Sequence, residues 1–268
     1  MSTRPRGGAG RAATAAALLL LVPVASCTSP GPIPAGPPSV LPAPGGSPGP
    51  APAGAGTPGP TGGTPTGAAA PEPTTTNTLP PPPDPSGPAP STAAELDAAV
   101  LPVPAGWRTV AREGGEEEAF QGNGTWVHAR DPRYAAQDAI TIGCADITRD
   151  DYPDPRAALE GNYEDPRQAP GVGLVLQFPD EAAATAYWQR YTDQVRACST
   201  LDDPVRTELV PVAAPAGMEA LVDRRSYPDG QWTEVAGRRG SRVTLVILSD
   251  QGHRLSTARA AALLGAMS

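Results

Sequence analysis

The chain has 268 residues, 36 of them proline and 30 glycine, with a formal net charge of −8 at pH 7. Its bases are all arginine. An acidic balance argues against nucleic acid and against electrostatic binding to anionic lipid.

The first 26 residues read as a lipoprotein signal peptide. Arg4, Arg6 and Arg11 form a basic head, Ala12 to Val24 an apolar middle, and small residues follow. Val24-Ala25-Ser26-Cys27 resembles a bacterial lipobox, which implies an acylated (palmitate-bearing) Cys27 at the mature N-terminus. An ordinary cleaved signal is the alternative. A membrane span needs about 20 apolar residues, and Pro23 breaks the run.

Residues 27–92 are Pro, Gly, Ala, Ser and Thr with almost no charge or large aliphatic. Such a segment buries too little apolar area to offset its ordering entropy, so a disordered tether is expected. Runs such as Pro80 to Pro83 favour an extended chain at about 3.1 Å per residue. Residues 93–268 are then one domain by length.

Within that domain, Trp107 to Arg112 and Thr125 to Arg130 read as short strands around a Gly122-Asn123-Gly124 turn. Ala139 to Ile147 reads as a strand with Ile140, Ile142 and Cys144 on one face. Asp154-Pro155 reads as a helix start, with Leu159 and Tyr163 inward at a spacing of four. Val172, Leu174, Leu176 and Phe178 share a strand face. Pro179-Asp180-Glu181 opens the longest helix, whose stripe is Ala184, Trp188, Tyr191, Val195 and Cys198.

Thr207 to Ala213 and Glu219 to Tyr227 are weaker strands. Gln231 to Ala236 and Arg242 to Leu248 form a hairpin. In its second arm Val243, Leu245 and Ile247 oppose Val246 and Leu248, which predicts a strand covered on both faces. Ser256 caps a last helix. The fold class is α+β: a mostly antiparallel sheet with about three helices, after a disordered N-terminal third.

Cys144 and Cys198 are each predicted inward, and an extracytoplasmic compartment is oxidising. A Cys144–Cys198 disulfide stitching the long helix to the sheet follows; two buried thiols are the alternative.

Catalytic chemistry is hard to find. His128 reads as a strand surface or rim residue, and His253 lies in a turn. Neither has a sequence neighbour that would orient it for acid–base work. Asp146, Asp150, Asp151 and Asp154 depart from calcium-loop spacing and read as turn and cap residues. Glu116-Glu117-Glu118 reads as a solvated loop. Arg224, Arg225, Arg238, Arg239 and Arg242 would hold an anion or, the favoured reading, protect sheet edges. No catalytic residue, metal site or cofactor is assigned.

Three segments carry a resemblance: Phe178 through Trp188 to Cys198, the hairpin Gly230 to Val246, and the helix after Leu255-Ser256. Together they resemble actinobacterial lipoproteins whose outer domain is similar to the extracytoplasmic sensor domain of mycobacterial receptor Ser/Thr kinases. The resemblance implies a disulfide-bonded α+β domain with a ligand cleft. Such sensors often carry two disulfides, and this chain has no kinase segment. The opening Leu101 to Trp107 also resembles PsbP-like lipoprotein domains.

The expectation is a non-enzymatic, sensor-like lipoprotein on the extracytoplasmic face of the cell membrane. Its partners are the membrane, through the lipid, and a small molecule, envelope glycan or protein. Trp126, Trp188 and Trp232 are candidates for lining the cleft, or are simply core. An envelope-acting enzyme and a structural or assembly lipoprotein are the alternatives.

Overall fold

The computed structural model describes residues 75–76, 79–80, 84–115, 119–142, 144–199, 206–227, 230–251 and 254–267. The signal peptide, Cys27, nearly all of the tether, Glu116 to Glu118 and His253 lie outside them.

Among the described residues one eight-stranded sheet dominates. Its strands are β1 (Arg108–Thr109), β2 (Val127–Arg130), β3 (Ala157–Glu164), β4 (Pro170–Gln177), β5 (Arg206–Leu209), β6 (Glu219–Tyr227), β7 (Gly230–Arg239) and β8 (Arg242–Ser249). The spatial order is β1-β3-β4-β8-β7-β6-β5, with β2 also paired to β3. Every pairing in it is antiparallel. β3–β4 and β7–β8 are hairpins, the latter closed by Gly240-Ser241 with Gly240 at φ +56°. Glycine takes that conformation without the Cβ clash other residues meet.

The helices are α1 (Pro132–Ile140), α2 (Glu181–Cys198) and α3 (Thr257–Ala266). Each starts on a side-chain cap: Asp131 accepts from Arg133 N and Tyr134 N, Asp180 from Ala183 N, and Ser256 from Arg259 N. The α+β expectation holds.

β8 separates two cores, as its two apolar faces require. Val243 and Leu245 join Leu174, Leu176, Phe178, Tyr187, Tyr191 and Val195 beneath α1 and α2. Val246 and Leu248 join Val222, Val235, Leu255, Leu263, Leu264 and Met267 beneath α3. Leu96, Leu101, Val127, Leu159 and Val175 form a third cluster.

Two expected elements are exchanged. The strand expected over 139–147 is instead the end of α1, which runs to Ile140, with only Ile147 extended at the far end, and the helix expected from Asp154 is strand β3. Asp131-Pro132 is the pair that starts a helix here. Residues four apart share a face in a strand as well as in a helix, so Leu159 and Tyr163 did not discriminate. Both are buried.

The disulfide joins Cys144 and Cys198, with Cα atoms 4.9 Å apart. It ties α2 to the loop after α1 rather than to a strand. Gln194, one turn earlier, brackets the same loop: its amide accepts from Ala145 N at 3.3 Å and donates to Ala145 O at 3.0 Å.

Folded contacts begin before Ala93. Ala89 N donates to Gln121 O at 2.9 Å, and Pro90 O accepts from Ala129 N at 2.7 Å. The expected turn at Asn123 is present: its carbonyl accepts from Thr125 N, and its amide donates to Ala89 O and Val127 O.

Candidate functional site

The α1/α2 face of the sheet is not covered to its end. Register places Asn162, Val172, Ile247, Glu234 and Asp223 in one cross-strand row. The next row holds Trp232 opposite Arg225, flanked by Ser249 and Thr207. Val172, Ile247 and Trp232 are only partly buried, because helix cover stops above them.

Two connected cavities open there. A chamber of about 170 Å³ is floored by Val172, Leu174, Leu245 and Ile247 and walled by α1 through Ala135, Asp138 and Ala139. Arg130 and Glu160 close one side, Arg225 and Glu234 the other. A second space of about 220 Å³ shares Arg225, Glu234 and Ile247 and adds Trp232. A mostly apolar lining with a few converging polar groups is the usual form of a small-molecule site.

The charged groups are organised around two guanidiniums. Arg130 is paired with Glu160 and, at 2.8 Å, with Asp138. Arg225 Nε is 2.9 Å from Asp223, and its Nη2 is 2.7 Å from Glu234. Tyr191 on α2 donates its hydroxyl to the other Glu234 oxygen.

Burial pushes the Glu234 carboxyl up to about 8. Arg225 does not prevent this, because its charge is shared with Asp223 and its Nη2 contact is out of line for a hydrogen bond. Burial also raises Asp223, against the pull of Arg225. For Glu160 burial opposes ionisation too, but His128 and Arg130 together hold its carboxyl below the ordinary range.

Nine buried side-chain polar atoms find no hydrogen-bond partner among the described residues. Five of them, all without an ion-pair partner as well, are on this end of this face: both amide atoms of Asn162, Thr207 Oγ1, Asp223 Oδ1 and Ser249 Oγ; His128 Nε2 and Arg225 Nη2, also there, face carboxylates at 3.5 and 2.7 Å. Each such atom costs roughly 1–3 kcal/mol. Their concentration marks a surface built for something other than stability. A wider hollow of about 330 Å³ lies beside Trp107. Its one buried polar side chain, Asp165, is satisfied by its own turn through Arg167 N and Ala169 N.

The three tryptophans do not converge. Trp232 lines the mouth of the site. Trp188 is buried in the α2 core, 5.5 Å from the Tyr191 ring. Trp126 packs on the opposite face, near Tyr163 and Gly161. Helix and strand period place a residue on a face but do not say where cover ends.

His128 is not on the rim. It is 2% exposed, stacked 3.6 Å from the Phe120 ring, with Nε2 3.5 Å from Glu160. A small hairpin of Gly114–Gly115 and Phe120–Gln121 brings Phe120 over it.

The five arginines do not form one edge cluster either. Arg225 faces the cleft, while Arg224 points to the α3 side, donating to Leu255 O. Arg238 pairs with Glu219 and Glu181. Arg242 is on the central strand β8, not at an edge. In the acidic loop Asp151 closes a capping box on Thr148, and Asp154 pairs with Arg149. No cluster of three or more His, Cys, Asp or Glu side chains among the described residues is arranged to hold a metal ion.

Sequence reasoning missed Arg130, Glu160, Asp223 and Glu234. The available signal was a charged residue inside each otherwise apolar strand pattern, as Glu234 is between Thr233 and Val235.

No family model matches the chain, and no curated protein matches it. Among solved structures it is similar to the extracellular domain of PknH from Mycobacterium tuberculosis. The identity is 17%, over 52% of this chain and 75% of that one, with a TM-score of 0.31. At that score the likeness decides nothing about function.

Proposed function

We propose that this protein is a non-enzymatic binding domain, held outside the cell on a lipid at Cys27, that takes a small molecule or the end of an envelope glycan in the chamber between α1 and the sheet. The observation that carries this reading is the convergence of a mostly apolar chamber with five unsatisfied buried polar atoms at the same end of the sheet. Binding rather than catalysis is supported by the charged groups: each guanidinium is already tied between two carboxylates. The lipid anchor rests on the layout of residues 1–27. Among the described residues no helix is long and apolar enough to cross a membrane. One acyl chain binds only marginally, so stable attachment implies more than one.

Native mass spectrometry of the full chain, purified from its own membranes, tests the binding reading. The protein should carry a bound small molecule, and Ile247→Trp, which fills the chamber floor, should lose it. The same bound mass in both proteins, or none in either, contradicts a chamber ligand.

A further inference from the structure

The buried charges around the chamber cancel in pairs. Arg130 and Glu160 form one pair, and both line it. Arg225 and Asp223 form the other, Nε to carboxylate oxygen at 2.9 Å. Asp138 also reaches Arg130, but its side chain is 62% exposed against 12% for Glu160, so water answers its charge. Glu234 accepts the Tyr191 hydroxyl, and burial keeps its carboxyl up near 8, so at pH 7 it is largely uncharged. Between the two pairs the floor is Val172, Leu174, Leu245 and Ile247. The unpartnered atoms of Asn162, Thr207 and Ser249 belong to an amide and two hydroxyls. Such groups take hydrogen bonds rather than a counter-ion.

We infer that the chamber takes an uncharged ligand with an apolar body: a ring or short chain on Val172 and Ile247, flanked by Trp232 at the mouth, and polar only through hydroxyl or carbonyl oxygens. This rests on the binding reading above and adds the charge of the ligand to it. Carboxylate-, phosphate- and ammonium-bearing heads are excluded, so an envelope glycan would enter only by an uncharged end.

A charged head has no partner waiting. An anion would have to draw Arg130 or Arg225 off its carboxylate, and a cation would have to draw Glu160 or Asp223 off its guanidinium. Either exchange leaves one charge buried without a counter-charge, which is the costly arrangement. An ion that disturbed neither pair would itself stand unpaired in an apolar space. A neutral molecule leaves both pairs as they are and gains from the apolar area it covers. The preference is then set by the pairs, and altering one should shift it in a known direction. Glu160→Gln removes a negative charge from the wall and should favour an anion. Arg130→Met removes a positive one and should favour a cation.

The test is a matched series on the full chain at pH 7: 3-phenylpropan-1-ol, 3-phenylpropanoate and 3-phenylpropylammonium. Binding is read from amide shifts at Val172, Trp232 and Ile247. The alcohol should bind about tenfold tighter than either ion, or better. Glu160→Gln should close most of that gap for the carboxylate alone, and Arg130→Met for the ammonium alone. If one variant does not fold, the other still gives its half of the crossover, and the wild-type ranking needs neither. Equal or tighter binding of either ion to the wild type, or a gap that neither substitution changes, overturns the uncharged-ligand inference and leaves the binding reading standing. No shift at these residues with any of the three overturns both.

Discussion

At the scale of single residues, Glu234 is a side chain whose buried environment departs far from its solution chemistry. Its ordinary carboxyl value is 4.5 and its folded value is about 8. A raised folded value means that the folded state binds the proton more tightly than the unfolded chain. Its favourable contribution is therefore complete below about pH 4.5 and is lost as pH rises through 8. Glu160 works in the other direction: held low, it contributes at neutral pH and loses that contribution as pH falls below the ordinary carboxylate range. Denaturant melts from pH 5 to 8 should show the wild type losing a few kcal/mol relative to Glu234→Gln, whose amide cannot ionise. Parallel curves for the two proteins contradict the buried assignment.

Gly161 tests the other face of the sheet. A Cβ there would stand 2.6 Å from Trp126 and 2.9 Å from Leu101. Gly161→Ala should cost roughly 1–3 kcal/mol by overpacking, measured as a shift in the urea midpoint.

At the scale of elements, legibility followed the strength of the local pattern. α2 was readable because an N-cap, an acidic first turn and a stripe of buried residues at steps of four and three agreed. β4 was readable because Val172, Leu174 and Leu176 alternate on a buried face, and β8 because a run apolar on both faces marks a central strand. α1 and β3 were not. The spacing of Ile140, Ile142 and Cys144 imitates a strand, yet Asp131 caps a helix that has already begun. Asp154-Pro155 imitates a helix start, while Gly161 and Asn162 continue as strand under tertiary pairing to β2 and β4.

The cleft was hidden for a related reason. Its residues come from seven separate elements, and their convergence is set by register and by where the helix cover stops. If α1 depends on its cap, Asp131→Ala should cost about 1 kcal/mol. Because Ala135, Asp138 and Ala139 wall the chamber, the loss should appear together with faster amide exchange along α1. An unchanged melt would contradict the capping role.

At the scale of the molecule, two covalent features frame the account. The Cys144–Cys198 bond closes a loop across 54 positions and holds α2 to the loop that follows α1. Closing a loop of that size stabilises by about 4 kcal/mol in the chain-entropy picture. Denatured, unreduced protein should therefore offer neither thiol to an alkylating label. The second is the acylation proposed for Cys27. Cys27→Ala should move the protein from the membrane fraction to the medium, followed by immunoblot, and continued retention would contradict the anchor.

The central claim is that the uncovered end of the α1/α2 face is a binding chamber. A crystal structure of protein purified from its own membranes without denaturation addresses it most directly. The account predicts electron density for a small molecule in contact with Arg225, Glu234, Ile247 and Trp232. Ordered water alone in a fully formed chamber, with the bound molecule seated elsewhere on the domain, would contradict it.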